Sequence, residues 1–320
     1  MSLAEKIIRG DIRAAGRLIS MIDDCDPTAV RELKALYPAT GRAKIIGITG
    51  PPGAGKSTLT DQLIQTFRQQ GKEIAVIAID PTSHLSGGAI LGDRIRMNRH
   101  ATDPGVFIRS LGTRGHLGGI SRSTNDVINV FDAMGKDIIL IETVGVGQDE
   151  VEITRTAHTS LVVMVPGLGD EVQAIKAGLL EIADIFVLNK ADRPGAEKAI
   201  ADLQTLVEMN HPEVSEWWPP IVQTVAHRNI GVSDLVDRID DHLEFLEASG
   251  HCRRFEENKG RIQLAVLLQD YFIRQVQEKV CRDQDYEEIV RGIASRRIDP
   301  YSALEKILAA RGAALGEDLP

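Results

Sequence analysis

The sequence predicts an α/β chain built on a doubly wound, mostly parallel sheet with helical extensions at its N- and C-terminal ends. Three observations carry that prediction. Seven short apolar runs rich in β-branched residues lie between residues 45 and 225, helix-type segments separate several of them, and stretches of helical periodicity bracket the whole. Continuous apolar runs without polar alternation suit strands buried on both faces of a parallel sheet, and their alternation with helices suits a doubly wound layer architecture.

Taken in order, residues 1–42 read as a helical extension of two helices. Ile7, Ile8, Ile12, Ala15, Leu18, Ile19 and Ile22 recur at helical spacing. Asp26 and Pro27 then supply a cap and a first-turn proline for a second helix through Leu36, which Pro38 and Gly41 end. The central domain spans 43–250. Its predicted strands are Ile45–Thr49, Ile74–Ile79, Val106–Ile108, Ile138–Ile141, Leu161–Val165, Ile185–Leu188 and Ile221–Val225, with helical segments such as Leu59–Gln70 and Glu171–Ala183 between them. The loop Trp217-Trp218-Pro219-Pro220 reads as a packed entry to the last strand. Residues 251–320 read as a helical extension, with Ile262, Val266, Ile273, Val276 and Val280 in one stripe and Asp299-Pro300 announcing a last helix that Gly312 stops. Such apolar stripes need a surface to cover them, which points to dimerisation or partner binding.

Composition narrows the function classes. With 37 Lys and Arg against 46 Asp and Glu, the formal net charge of −9 argues against a general nucleic-acid binder or a binder of anionic membranes. No run of 18 uncharged apolar residues is present, and the charged N-terminus lacks the apolar core of a secretory leader, so a cytoplasmic protein is expected. Cys25, Cys252 and Cys281 are far apart with no metal-ligand spacing and read as free thiols. Aromatic residues are only 4% while glycine reaches 29 residues, a balance that favours backbone-lined loops over stacking surfaces.

The chemistry is concentrated at predicted strand ends, where open α/β sheets place their ligands. The first strand runs into Gly50-Pro51-Pro52-Gly53-Ala54-Gly55-Lys56-Ser57-Thr58, a G-x-x-x-x-G-K-S string between strand and helix. Glycines let several backbone N–H groups converge on phosphate oxygens, and the following helix adds its positive end. Lys56 is expected to reach the β- and γ-phosphates, and the Ser57 hydroxyl to bind Mg²⁺. The string places the domain among P-loop NTPases. Asn189-Lys190-Ala191-Asp192 follows the sixth apolar run. The Asp192 carboxylate can accept from the N1–H and 2-amino donors of guanine, a pattern adenine does not present. Asn189 is expected to tie this loop to the phosphate loop, the Lys190 stem to cover the base plane, and the backbone of Thr224-Val225-Ala226 to meet guanine O6. GTP and GDP are therefore the expected ligands.

Asp80 and Asp93 are candidates to hold Mg²⁺ directly or through water, and Glu142 occupies the Walker-B position. Lys56, Glu142 and Asp93 are the expected catalytic groups. Gln148 reads equally as a residue orienting water or as a loop residue. Arg109, Arg114 and Arg122 are candidates for a phosphate-facing arginine, against the plainer reading of surface residues. The histidines, His84 and His116 included, form no pair with ligand spacing.

The order of these strings, with Gly167-Leu168-Gly169-Asp170-Glu171-Val172-Gln173-Ala174-Ile175-Lys176-Ala177-Gly178 and Asp299-Pro300-Tyr301-Ser302-Ala303, resembles the MeaB/ArgK-type GTPases over nearly the whole chain. These are G-protein chaperones of adenosylcobalamin-dependent acyl-CoA mutases of the methylmalonyl-CoA mutase type, and include the methylmalonic aciduria type A protein. The resemblance implies a Mg²⁺-dependent, slow GTPase that homodimerises through its C-terminal helices, binds such a mutase, and gates loading and protection of its B12 cofactor. It also implies that the 167–178 segment is a third switch in which Asp170 and Lys176 couple nucleotide state to the client. His84 departs from the expected pattern in the first switch-like loop. Two other readings use the same phosphate loop. A metallochaperone-like GTPase loading a metal into a client would call for Cys/His clusters, and a small-molecule kinase would favour ATP, against Asp192.

Overall fold

The apolar runs fold into strands whose order sets the position of every loop that matters for function. The computed structural model describes residues 1–80, 97–100, 102–112, 122–143, 153, 156–167, 182–210, 217–279 and 284–311. Among them the strands are β1 (Lys44–Thr49), β2 (Ile74–Asp80), β3 (Val106–Gly112), β4 (Ile138–Glu142), β5 (Thr159–Met164), β6 (Ile185–Asn189) and β7 (Ile221–Thr224). They form one sheet in the order β3-β2-β4-β1-β5-β6-β7, with every neighbouring pair parallel. The topological switch lies at β1, which leaves a crevice beyond its carboxyl end between β4 and β5. Strand β3 runs on past the predicted Ile108 to Gly112. Arg109 and Ser110 interrupt the apolar run, but among the described strands β3 pairs only with β2, and an edge position tolerates polar residues.

Two compact units divide the chain, Met1–Lys259 and Gly260–Pro320. In the first, helices cover both sheet faces. One face packs Ile45, Ile77, Ile139 and Ile141 against α2 (Ile12–Asp23), α3 (Ala29–Leu36) and α5 (Arg122–Ala133) through Leu18, Ile19, Leu36 and Phe131. The other packs Ile46, Ile48, Val76, Leu140 and Leu161 against α4 (Lys56–Gln69) and α7 (Val232–Ala248) through Leu59, Leu63, Phe67, Leu235 and Ile239. A satellite core joins Phe186 and Leu188 to Leu203 and Val207 of α6 (Ala196–Asn210). A fully buried side chain of the Leu or Phe kind contributes about 1.5–3 kcal/mol.

The N-terminal stretch differs from the two helices expected. A short α1 (Leu3–Ile8) ends before Asp11, whose carboxylate accepts from the N–H groups of Arg13 and Ala14 at 2.9 and 3.0 Å and starts α2 anew. The periodicity of the isoleucines continues across the break, so the apolar stripe hid it. Asp26 does not cap a helix at Pro27. It accepts from the Thr28 N–H and hydroxyl at 2.8 and 2.7 Å, a closed local turn, and α3 begins at Ala29. The extension is tied to the sheet by charge. The buried Asp132 carboxylate of α5 accepts from the N–H groups of Gly41, Arg42 and Ala43 where the chain enters β1. Arg109 donates to Asp23 at 2.6 Å, so this arginine serves the helical layer and not the phosphate end.

In the second unit, α8 (His251–Lys279) contributes its residues from Gly260 onward, with α9 (Gln284–Ala294) and α10 (Pro300–Arg311). Asp299 caps α10 by accepting from the N–H groups of Tyr301 and Ser302, as the Asp-Pro signal predicts. Val280, Cys281 and Gly312 lie outside the described residues, as do residues 171–181 of the helix expected over 171–183. No helix among the described residues is long and apolar enough to cross a membrane, and Cys25 and Cys252 are free thiols.

Trp217 of the tryptophan loop packs as expected, beside a titratable pair, while Trp218 stands about half exposed. Trp217 Nε1 donates to the Asp184 carbonyl at 2.7 Å, and its ring lies 4.7 Å from the His242 ring. His242 Nδ1 meets the Thr159 hydroxyl at 2.9 Å, and its Nε2 lies 3.5 Å from the Asp184 carboxylate. Burial pushes the Asp184 carboxyl up to about 7, against the hydrogen bond from the Ser160 N–H. Burial also pulls His242 down to about 4, with the neighbouring His158 adding to it. The two act oppositely on stability. The folded chain keeps an Asp184 proton that the unfolded chain releases near the ordinary value of about 4, so this contribution falls as pH rises to about 7. The unfolded chain takes up a His242 proton near its ordinary value of about 6.5, which the folded chain refuses down to about 4, so that contribution rises with pH over the same window. Thermal midpoints measured from pH 4 to 7 should therefore climb with pH in Asp184→Asn and decline with pH in His242→Gln, each relative to the parent. Parallel profiles in all three proteins would refute the opposed pair.

Candidate functional site

The site is built at the carboxyl end of β1. Gly50 follows the strand at φ 135°, where a Cβ would collide with the Val163 carbonyl of β5, so only glycine lets the loop leave here. Gly55 closes the loop at φ 91° as the N-cap of α4, and a Cβ there would sit 2.5 Å from Asn189 Nδ2. The N–H groups of the first helical turn have no intrahelical acceptor and carry the positive end of the helix dipole, which suits an anion. Lys56 is buried, and its Nζ donates to the carbonyls of Gly50 and Pro51 at 2.7 and 3.1 Å, spanning the loop from within. Pro52 and Gly53 are exposed at the loop's outer edge, while Ala54 is buried and Thr58 half-buried.

Beside this loop ends β4. Its last residue, Glu142, is buried and accepts at Oε1 from the Ser57 hydroxyl at 2.6 Å, while the Thr60 hydroxyl lies 2.9 Å from Oε2. Thr143 follows, its N–H donating to the Ile48 carbonyl and its hydroxyl meeting that of Thr49 at 3.0 Å. These contacts lock the β4 terminus against β1. A hydroxyl and a carboxylate brought together are hard oxygen donors, the chemistry that suits Mg²⁺.

Two strands from β1, β6 ends in Asn189, which is buried and bonded in three directions. Its Nδ2 donates to the Ala54 carbonyl at 2.8 Å, and its Oδ1 accepts from the Ala226 N–H at 3.1 Å and the Thr224 hydroxyl at 3.2 Å. Lys190 takes a left-handed backbone at φ 57°, and its Nζ donates to the Gly53 carbonyl at 2.7 Å. Burial, then the nearby Arg193, holds the Lys190 ammonium below its ordinary pKa. The Ala191 N–H donates to the Thr224 carbonyl at 3.1 Å, and Asp192 stands exposed beyond it. Val225 is buried alongside.

The fold thus gathers Gly50 through Thr58, Glu142, Asn189, Lys190 and Thr224 through Ala226 at the carboxyl-terminal end of the sheet. Asp80 ends β2 at the same end of the sheet, though its side chain lies outside the described residues. His84, Asp93, Arg114, His116, Gln148, Asp170 and Lys176 lie outside them too, as does the Arg122 side chain. Thr60 and Thr49 escaped the sequence reading. For Thr60 a signal existed, since it falls three residues after Ser57 on the same helix. Thr49 is revealed only by strand pairing.

The Asn189 amide joins three segments without needing any ligand. Asn189→Ala should therefore lower the thermal midpoint of the protein alone, by the equivalent of about 2 kcal/mol, and weaken GTP and GDP to the same extent. Calorimetric titration with both nucleotides and a melting curve check this. An unchanged midpoint, or a loss confined to one nucleotide, would contradict the role.

Comparison with known proteins agrees with this geometry. A family model described as "Methylmalonyl Co-A mutase-associated GTPase MeaB" matches residues 15–281. A Pyrococcus abyssi protein named as a GTPase is 50% identical over 308 residues, 96% of this chain and 95% of its own length. The Escherichia coli GTPase ArgK is 30% identical over 316 residues, 96% of each chain. The mitochondrial methylmalonic aciduria type A homolog of Mus musculus is 31% identical over 268 residues, 83% of this chain and 65% of that one. A crystal structure described as an LAO/AO transport system kinase shares the fold, with a TM-score of 0.72 at 23% identity over 95% of each chain. A P-loop joined to a guanine-type loop on a parallel sheet, matched from residue 15 to 281, makes this chain a member of the MeaB family of P-loop GTPases.

Proposed function

We propose that the chain is a Mg²⁺-dependent GTPase chaperone of an adenosylcobalamin-dependent acyl-CoA mutase of the methylmalonyl-CoA mutase type, acting as a gate on loading and protection of the B12 cofactor. The observation that carries the nucleotide half is the Asn189 junction, which fixes the base-reading loop to the phosphate loop. The client half is supported by the description of the matching family as mutase-associated.

In this reading the loop N–H groups and Lys56 meet the β- and γ-phosphates, Lys56 exchanging the Gly50 and Pro51 carbonyls for stronger anionic acceptors. Ser57 and Glu142, aided by Asp80 and Asp93, hold Mg²⁺. A bound Mg²⁺ would supply positive charge against the phosphate oxygens. Glu142 accepts from the Ser57 hydroxyl, which would leave the Ser57 lone pairs for the cation. Asp192 accepts from guanine N1–H and the 2-amino group, the Lys190 stem lies along the base, and the 224–226 backbone meets O6. Most of the acceleration comes from positioning and fixed charge. Asp170 and Lys176 transmit nucleotide state to the client.

The C-terminal helices are assigned to homodimer formation. The support is an exposed apolar face on α8, where Leu264, Leu268 and Phe272 follow one another at four-residue spacing with Leu267 and Tyr271 beside them. Residues 1–42, 43–250 and 251–320 then serve as helical extension, GTP-binding domain and dimerisation extension. The charge balance and the absence of a membrane-crossing helix among the described residues favour a cytoplasmic site of action without nucleic-acid or membrane partners.

Two measurements test the halves separately. Asp192→Asn should weaken GTP and strengthen XTP, changing the preference by on the order of a hundredfold, because the carboxamide offers a donor to the 2-oxo group of xanthine. Equal losses for both nucleotides would reject base reading by this residue. Size-exclusion chromatography of the protein with purified methylmalonyl-CoA mutase should show a complex whose amount differs between GDP and a non-hydrolysable GTP analogue. Separate elution in both nucleotide states would reject this client and leave the GTPase assignment intact.

A further inference from the structure

Glu142 is approached from two hydroxyls of one helix. Ser57 Oγ donates to Oε1 at 2.6 Å, and Thr60 Oγ1 lies 2.9 Å from Oε2. The two residues are three apart on α4 and so share a face. Thr60 is fully buried, at 0% exposure, and Glu142 nearly so, at 4%. The Thr60 hydroxyl has a single proton and two acceptors in reach, Glu142 Oε2 and the Lys56 carbonyl at 3.0 Å. A carboxylate forms hydrogen bonds roughly twice as strong as a neutral acceptor does, so the proton belongs to Glu142.

The last torsion of a glutamate is soft, and its carboxylate plane turns readily unless both oxygens are held. Ser57 holds one oxygen and Thr60 the other. Ser57 is also the residue assigned to the metal, so its own geometry must adjust when a cation takes its lone pair. Thr60 is free of that double duty, because its side chain faces the acid and not the loop. We propose that Thr60 is a positioning residue for GTP hydrolysis, fixing the Glu142 carboxylate plane and thereby setting the affinity of the site for Mg²⁺. The proposal rests on the assignment of Ser57 and Glu142 to that metal.

The test uses the full chain, with GDP affinity measured by calorimetry in excess Mg²⁺ and in EDTA, and GTP turnover measured across a Mg²⁺ titration. In Thr60→Val the Mg²⁺ concentration for half-maximal turnover should rise on the order of tenfold, the usual cost of removing a partner that orients a metal ligand. GDP affinity should drop in Mg²⁺ and stay at the parent value in EDTA, and Thr60→Ser, which restores the hydroxyl, should return both to normal. A merely structural role would move the EDTA value too. If Thr60→Val does not fold, Thr60→Ala against Thr60→Ser provides the same contrast. Parent-like Mg²⁺ dependence in the hydroxyl-free variant, or a Thr60→Ser as defective as it, overturns the proposal. Glu142→Gln separates the levels: if it shifts the Mg²⁺ dependence while Thr60→Val does not, only the role of Thr60 fails, and if it shifts nothing, the metal assignment fails as well.

Discussion

A primary amide buried at the end of a strand must find partners for both its donor and its acceptor, and Asn189 finds three of them in two separate segments. Its Nδ2 reaches the phosphate loop at Ala54. Its Oδ1 gathers the Thr224 hydroxyl and the Ala226 N–H at the end of β7. Neither an aspartate, which lacks the donor, nor an aliphatic residue could make both connections. The close approach that results explains the glycine at position 55, where a side chain would run into Asn189 Nδ2. One amide therefore sets the distance between the part of the site that handles phosphate and the part that handles base.

The sheet order gives this junction its reach. Strand β1 lies between β4 and β5, so a single loop leaving β1 is flanked by Glu142 on one side and the β5 and β6 termini on the other. Helix α4 starts from that loop and buries Leu59, Leu63 and Phe67 in the core below. Its first turn is consequently rigid, and Ser57 and Thr60 meet Glu142 from a fixed platform. Packing far from the ligand thus becomes precision at the site, which is why the apolar face of α4 and its polar face cannot be altered independently.

Much of this was legible in the sequence. Strand–loop–helix grammar around Gly50–Thr58, and the Asn-Lys-Ala-Asp string after an apolar run, named both the fold class and most of the site. What escaped has identifiable causes. The break between α1 and α2 was masked because the isoleucine stripe keeps its phase across Asp11. The length of β3 was underread because polar residues are permitted on an edge strand. Arg109, beside a glycine-rich segment, reads as a surface residue or a phosphate-facing one, yet its guanidinium turns to Asp23, a partner 86 positions away that no local pattern announces. Thr60 shares a helix face with Ser57, which spacing alone reveals, but the acid that both residues face is brought alongside from 82 residues on.

The charge of the chain poses a last question, because a protein of net charge −9 must bind a polyanion. Screening by salt confines most surface charge to about 8 Å at physiological ionic strength, so distant acids count for little at the loop. The local inventory decides instead. Lys56 and Lys190 both send their ammonium groups to carbonyls of the loop, Gly50 and Pro51 for one and Gly53 for the other. Carbonyls are weak partners for an ammonium compared with phosphate oxygens, so each contact can be exchanged at a gain. Burial already lowers the pKa of Lys190, a sign that its charge is poorly compensated where it stands. On the other side of the loop, Glu142 accepts from two hydroxyls of the helix that the loop starts. Two ammonium groups already turned toward the loop can therefore meet phosphate oxygens without any rebuilding of the site, whatever the sign of the protein's total charge.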